Sequence, residues 1–357
     1  MVLRELRIRN LRVVEDLSLD LGGGWSAFVG PNGAGKSSIL EAAYLLSHGR
    51  SFRSGVRDSL SRLGSSGFSV FGRLALADEA ERRLGLARNE GRLEARVDGE
   101  ATGIAGLVAS CAVVCFEPGS HELINGVAEE RRRFLDWGVF HVEHTFLSNW
   151  RRYQRALRQR NTVLREGARA GALEPWEIEM AESGSRISEM RQAYMDRLGS
   201  VLGDILGGFL GELGPLTLSV QHGWKEGLSL AEALAEGRGR DLERGFTARG
   251  PHRADWSIGF ERAPRREHLS RGQEKLCALA LVFAQARLYA EHCGEAPVLC
   301  LDDLASELDQ DHQARVIRLA QESDAQVLVT GTELPAGLAE AGQALQVFHV
   351  EQGRIRR

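Results

Sequence analysis

Residues Gly30-Pro31-Asn32-Gly33-Ala34-Gly35-Lys36-Ser37 fill every position of a G-x-x-x-x-G-K-S phosphate loop. Gly30, Gly33 and Gly35 let backbone N–H groups converge on phosphate oxygens, where a Cβ would obstruct the turn. Lys36 is expected to reach the β- and γ-phosphates of a nucleoside triphosphate, and Ser37 to hold Mg2+. The helix that starts there adds partial positive charge. A second constellation is Val298-Leu299-Cys300-Leu301-Asp302-Asp303, four apolar residues followed by two carboxylates. In that pairing, Asp302 sits beside Ser37 on the metal and Asp303 orients an attacking water. A third is Leu269-Ser270-Arg271-Gly272-Gln273, where Ser270 and Gln273 have the S-x-x-Q spacing of a capping box.

Each motif has an element to position it. Trp25-Ser26-Ala27-Phe28-Val29 reads as a strand entering the phosphate loop, and a helix from Ser38 leaves it. Residues 1–30 and 68–100 alternate apolar and polar, and Arg88-Asn89-Glu90-Gly91 and Asp98-Gly99 mark turns, as in an antiparallel sheet. From about 120 to 212 the pattern is helical and charged, interrupted at Pro175 and Gly184. Strands return at Leu216–Val220 and Arg253–Ile258. A helix over 271–292, a strand at Val298–Leu301, a helix over 309–322 and a strand at Gln326–Thr330 follow. The expected domains are therefore 1–118, an N-terminal head part; 119–214, an inserted helical lobe; and 215–357, the C-terminal head part.

Forty-five Lys+Arg against 49 Asp+Glu give a net charge of −4, so any basic surface must be local. No apolar run is long enough for a membrane span, and the charged N-terminus is no signal peptide. The five cysteines match no zinc spacing and read as buried reduced thiols of a cytoplasmic protein.

The order phosphate loop, Leu-Ser-x-Gly-Gln, apolar strand with Asp302, then Ser306-Glu307-Leu308-Asp309 resembles the ATP-binding-cassette class. The implied fold is α/β, an ABC-type P-loop ATPase head with an inserted mainly helical lobe. Within the class, the chain resembles the bacterial RecF family. The resemblance is carried by Leu6-Arg7-Ile8-Arg9-Asn10-Leu11-Arg12, Gly49-Arg50-Ser51-Phe52-Arg53-Ser54, Arg131-Arg132-Arg133-Phe134-Leu135-Asp136 and Arg158-Gln159-Arg160-Asn161. Its most specific pieces are Thr247-Ala248-Arg249-Gly250-Pro251-His252-Arg253-Ala254-Asp255 and the Leu269–Gln273 motif. It implies that Ser38 and Arg12 join the ATP contacts. It further implies that Ser270, Arg271, Gly272 and Gln273 of one subunit close on ATP held by another, with Ser306 and Asp309 in the adjoining loop. The implied function is ATP-dependent DNA binding in recombinational repair. An ATP-driven homodimer binds double-stranded, gapped or junction DNA, hydrolyses ATP slowly and, with RecO and RecR, promotes RecA loading, SOS induction and replication restart.

Two other classes share the motifs, an ABC transporter ATPase subunit and an SMC-like chromosome ATPase. Asp303 stands where transporters use Glu, and no His follows the strand at Thr330-Gly331-Thr332. The insertion is also far shorter than an SMC coiled coil. Phe116-Glu117-Pro118-Gly119-Ser120 stands near the expected Gln loop. Candidate DNA contacts are Arg50, Arg53, Arg57 and Arg62 among glycines and serines, and Arg151 and Arg152 within Trp150-Arg151-Arg152-Tyr153. Arg131, Arg132 and Arg133 follow Glu129-Glu130 and are expected to form local ion pairs.

Overall fold

The computed structural model describes residues 1–357 except 54–59, 79, 168–169, 336, 340–343 and 357. Backbone contacts divide the chain into one unit of 1–120 and 278–357 and a second of 121–277.

The first unit holds two six-stranded sheets. One is antiparallel and contains β1 (Val2–Leu11), β2 (Val14–Asp20), β4 (Phe68–Ala75), β5 (Glu81–Asn89), β6 (Arg92–Val97) and β7 (Glu100–Thr102), in the order β2-β1-β4-β5-β6-β7. Strand β1 buries Leu3, Leu6, Ile8 and Leu11 and exposes Arg4, Arg7 and Arg9. The step from Leu3 to Leu6 breaks strict alternation because a register shift falls between Leu3 and Glu5. Both expected turns form: Glu90 and Gly91, then Asp98 and Gly99, have positive φ as two-residue hairpin turns require.

The second sheet runs β14-β13-β3-β12-β11-β8. Its members are β3 (Trp25–Val29), β8 (Val113–Phe116), β11 (Val298–Leu301), β12 (Val327–Gly331), β13 (Leu345–Glu351) and β14 (Arg354–Arg356). All neighbours are parallel except β13 and β14. Strands β11 and β12 are buried at every position, as a sheet covered on both faces requires. Helix α1 (Lys36–His48) packs against β1, β4 and β5 of the first sheet and β8 and β12 of the second. Its Ile39, Leu40, Ala42, Ala43 and Leu46 join the core with Leu6, Ile8, Phe28 and Leu328. Short α2 (Ile104–Ala109) and α9 (Leu304–Glu307) and the longer α10 (Gln310–Glu322) belong to this unit as well.

The second unit contains α3 (Glu122–Asn125), α4 (Ala128–Val142), α5 (Phe146–Arg165), α6 (Glu174–Leu210), α7 (Leu230–Arg244) and a two-stranded sheet of β9 (Leu216–Gln221) and β10 (Asp255–Phe260). Pro175 starts α6, where its missing N–H costs nothing, instead of interrupting it. Gly184 does not interrupt it either: a Cβ there would lie 2.5 Å from Leu230 Cδ2 and 3.1 Å from Tyr153, so glycine serves close helix packing. Residues 215–277 group with the helical segment, whereas the sequence reading set that boundary at 214/215. Strands β9 and β10 pair with each other, β9 packs on α6 and β10 on α4. Helix α8 (Arg271–Cys293) starts in this unit. Helix α7, with Ser229 and Glu232 in a full capping box, and the β13–β14 hairpin were absent from the sequence reading, although the S-x-x-E spacing and Gln352-Gly353 announce them.

Buried arginines join the helices. Arg160 of α5 bonds Glu177 of α6 at 2.9 Å and Asp241 of α7 at 2.7 Å. Arg191 of α6 holds Asp136 of α4 at 2.8 Å. Arg131 of α4 reaches Asp255 of β10 at 2.7 Å and Arg132 donates to the Ala254 carbonyl, so only Arg133 makes the expected local pairs with Glu129 and Glu130. All five cysteines are free; Cys293 is exposed, contrary to the expectation of burial.

Candidate nucleotide site

The phosphate loop leaves the C-terminal end of β3, and Asp302 follows the C-terminal end of β11. Strand β12 lies between them, so its last residues, Thr330 and Gly331, stand between the two motifs. A crevice beyond the carboxyl ends of parallel strands is where open α/β sheets bind ligands. Here it is a cleft of about 540 Å3 lined by Asn32 to Ser38, Asp302, Asp303 and Thr330, with Arg12 and Arg53 among its other walls.

The loop is shaped for an anion. Gly35 has φ 105° and no side chain caps α1; the Ser38 N–H donates to the Gly35 carbonyl at 3.1 Å, and the N–H groups before it at the helix start face the ligand side of the loop without a side-chain cap. A Cβ on Gly30 would stand 2.2 Å from the Val350 carbonyl oxygen, so packing on β13 also demands glycine there. The β13–β14 turn supports the loop from below, where the Gly353 N–H donates to the Ala34 carbonyl at 2.7 Å. Lys36 is buried and its ammonium donates to the carbonyls of Gly30 at 2.8 Å and Pro31 at 3.0 Å. Burial lowers its pKa, while Asp303 and Asp302 oppose that shift.

Asp302 is buried, accepts the Thr330 hydroxyl proton at 2.6 Å and is hydrogen-bonded by the Ser37 side chain. Burial raises its pKa; the Thr330 and Ser37 bonds and the Arg53 charge pull against it. Asp303 has φ 53°, a left-handed conformation that Asp tolerates better than most residues. Its N–H donates to the Thr330 hydroxyl oxygen at 2.9 Å, and its carboxylate accepts from Ser306 at 2.9 Å. Thr330 thus orients both carboxylate residues. Asp309 caps α10 by accepting the His312 N–H at 3.0 Å.

Arg12 lies in the β1–β2 turn with φ 54° and grips the buried Glu41 of α1 with two bonds of 2.9 and 2.7 Å. Arg53 is exposed, lies over the Phe52 ring and lines the cleft. Arg50 is half-buried, Arg62 pairs with Glu15 at 3.5 Å, and Arg57 lies outside the described residues. In the second unit Arg151 is exposed, but Arg152 is engaged by Glu179 at 2.6 Å and Glu182 at 3.3 Å. Tyr153 and Arg160 of this run are buried, while Arg151, Arg152, Arg155 and Arg158 are exposed. Ser270, Arg271 and Gly272 are exposed at the start of α8. The capping box forms: the Gln273 N–H donates to the Ser270 hydroxyl at 3.3 Å and the Ser270 N–H to the Gln273 side chain at 2.9 Å. Sequence reasoning passed over Glu41, signalled only by a carboxylate inside an apolar helical run, and gave Thr330 little weight.

Comparison with known proteins identifies the family and the fold. The RecF/RecN/SMC N terminal domain model matches residues 2–356. A DNA replication and repair protein RecF of Xanthomonas euvesicatoria pv. vesicatoria is 48% identical over 358 residues, covering 99% of this chain and 97% of that protein. The recombination mediator protein RecF-ATP in the RecFOR pathway has a structure similar to this one, with TM-score 0.89, 26% identity and coverage of 99% and 96%. The SMC head bound to the C-winged helix domain of ScpA shares the fold, with TM-score 0.61 and 16% identity over 100% and 96% of the chains. With a matching domain model along its length and a relative this similar end to end, the chain belongs to the RecF family.

Proposed function

We propose that this chain is an ATP-dependent DNA-binding protein of recombinational repair. The carrying observation is the single cleft in which Lys36, Ser37, Asp302, Asp303 and Thr330 meet. ATP seats its phosphates on the N–H groups of Gly33 to Ser38, and Lys36 exchanges the Gly30 and Pro31 carbonyls for the β- and γ-phosphate oxygens. The Ser37 hydroxyl and Asp302 carboxylate, bonded to each other, are hard oxygen donors of the kind Mg2+ takes. Bound there, the metal would neutralise charge between the phosphates. Asp303 orients the water. Aspartate is one methylene shorter than glutamate, which supports slow turnover and a role as a binding switch.

Exposed Ser270, Arg271 and Gly272 and half-buried Gln273, at a helix start, close on the γ-phosphate of a partner subunit, with Ser306 and Asp309 beside it. ATP then holds a two-fold dimer that grips duplex, gapped or junction DNA. The RecFOR context of the similar RecF-ATP structure supports RecO and RecR as partners and RecA loading as the outcome. Cytoplasmic residence is part of the same reading; among the described residues, no helix is long and apolar enough to cross a membrane.

Sedimentation of the parent and Lys36→Ala chains, with and without ATP and duplex DNA, tests the reading. The parent should double in mass with ATP and then bind DNA, and Lys36→Ala should stay monomeric with its ATP binding lost. Normal ATP binding by a folded Lys36→Ala would remove the phosphate-loop assignment.

A further inference from the structure

Glu41 is the one carboxylate on the buried face of α1, and it has no solvent exposure. A buried carboxylate is tolerable only if its oxygens are satisfied. Its donors come from two separate stretches that both border the nucleotide cleft. From the β1–β2 turn, Arg12 gives two bonds of 2.9 and 2.7 Å in the bidentate fork that suits a carboxylate. From the segment after α1, Ser51 donates its hydroxyl proton to Oε1 of the same carboxylate. The Ser51 oxygen in turn accepts the Arg53 N–H at 2.9 Å. Arg12 and Arg53 both line the cleft. Arg12 is held in a left-handed backbone conformation that non-glycine residues rarely adopt, and such a conformation persists only where surroundings over-determine it.

We propose that Glu41 is a positioning residue of the nucleotide site: one buried carboxylate, five residues beyond Lys36 on the same helix, sets both arginine arms of the cleft. This rests on the reading of the cleft as an ATP site. The coupling runs in both directions. A phosphate that draws the Arg12 guanidinium toward itself competes with Glu41 for the same donors, and a loosened Glu41 changes what Ser51 and the Arg53 backbone are tied to. The ligand class that engages both arms is a polyphosphate, because two guanidinium groups lining one cleft present more donors than one monophosphate offers oxygens.

The test is a double-mutant cycle read by binding of a fluorescent ATP analogue. Glu41→Gln keeps the shape but removes the charge and places an amide N–H2 against donors. Glu41→Gln and Arg12→Gln should each weaken binding about tenfold, and the double variant should be no more than about twofold weaker than either. Multiplying effects would mean that Glu41 acts through general stability alone, and would overturn the proposal. Ser51→Ala, at a half-buried position, covers the case in which Glu41→Gln fails to fold. It should weaken binding several-fold, and Arg53→Gln added to it should change little; unaltered binding in Ser51→Ala, or a multiplied loss in the pair, would overturn the proposal as well. Lys36→Ala separates the two levels. If it binds the analogue like the parent, the ATP reading itself fails. If it loses binding while Glu41→Gln and Ser51→Ala keep it, only the positioning role fails.

Discussion

Thr330→Val tests the geometry of the cleft with a change of shape close to nil. The hydroxyl donates to Asp302 at 2.6 Å and accepts the Asp303 N–H at 2.9 Å, and the residue is 1% exposed. A hydrogen bond to a charged group contributes about 1.5–3 kcal/mol and a neutral one about 1 kcal/mol. With buried Asp302 and the half-buried Asp303 N–H both left without this partner, the loss at neutral pH should be about 3 kcal/mol. In a unit of this size that is a melting-temperature fall of about 6–12 °C. The loss should depend on pH. The folded pKa of Asp302 is raised above its usual 3.8, first by burial. The native carboxyl therefore keeps its proton to higher pH than the unfolded one. Its contribution favours the fold below the usual carboxylate range and is lost as pH rises through the raised folded value. Removing the Thr330 bond pushes that value further up and enlarges the deficit at neutral pH. At a pH below the usual carboxylate range, where Asp302 keeps its proton, the deficit should shrink to about 1–2 kcal/mol. Calorimetry of the nucleotide-free parent, Thr330→Val and Thr330→Ser at both pH values measures this, and Thr330→Ser should recover most of the loss. A Thr330→Val melt within roughly 1 °C of the parent at neutral pH, or equal deficits at the two pH values, would refute the reasoning.

Ser270→Arg should bind ATP as a monomer but fail to dimerise, because a long cation replaces a small hydroxyl at an exposed helix start; ATP-dependent mass in sedimentation reads this out, and a persisting dimer removes the role in trans. Asp303→Asn leaves Asp302 and the Ser37 contact in place, so turnover should drop by about 10²-fold or more while the ATP-bound dimer outlives that of the parent; turnover at the parental rate would dismiss Asp303 as the water-orienting group. Arg53→Gln should weaken ATP binding, since the side chain lines the cleft, whereas exposed Arg151→Gln should leave ATP alone and lower the salt slope of DNA binding by about 1; the reverse pattern would exchange their roles.

The phosphate loop, the apolar strand ending at Asp302 and the capped start of α8 were legible because each is a run of consecutive residues whose types suffice. Glycines shape a loop, four apolar residues make a buried strand, and a serine three before a glutamine caps a helix. The hairpins of the antiparallel sheet were legible for the same reason. What the sequence could not reveal depends on which distant segments become neighbours. Thr330 matters because β12 inserts between β3 and β11, an order that no local pattern encodes. Arg53 and Arg160 look alike as cations in a charged run, yet one lines the cleft and the other is buried between Glu177 and Asp241. Strands β9 and β10 join the helical unit because their apolar faces are covered by α6 and α4. Hydrogen-bonded turns and caps draw their energy within a few residues, so a short window of sequence determines them. Burial and charge pairing draw theirs from surfaces brought together from hundreds of residues apart, and only the packed tertiary structure decides which surfaces those are.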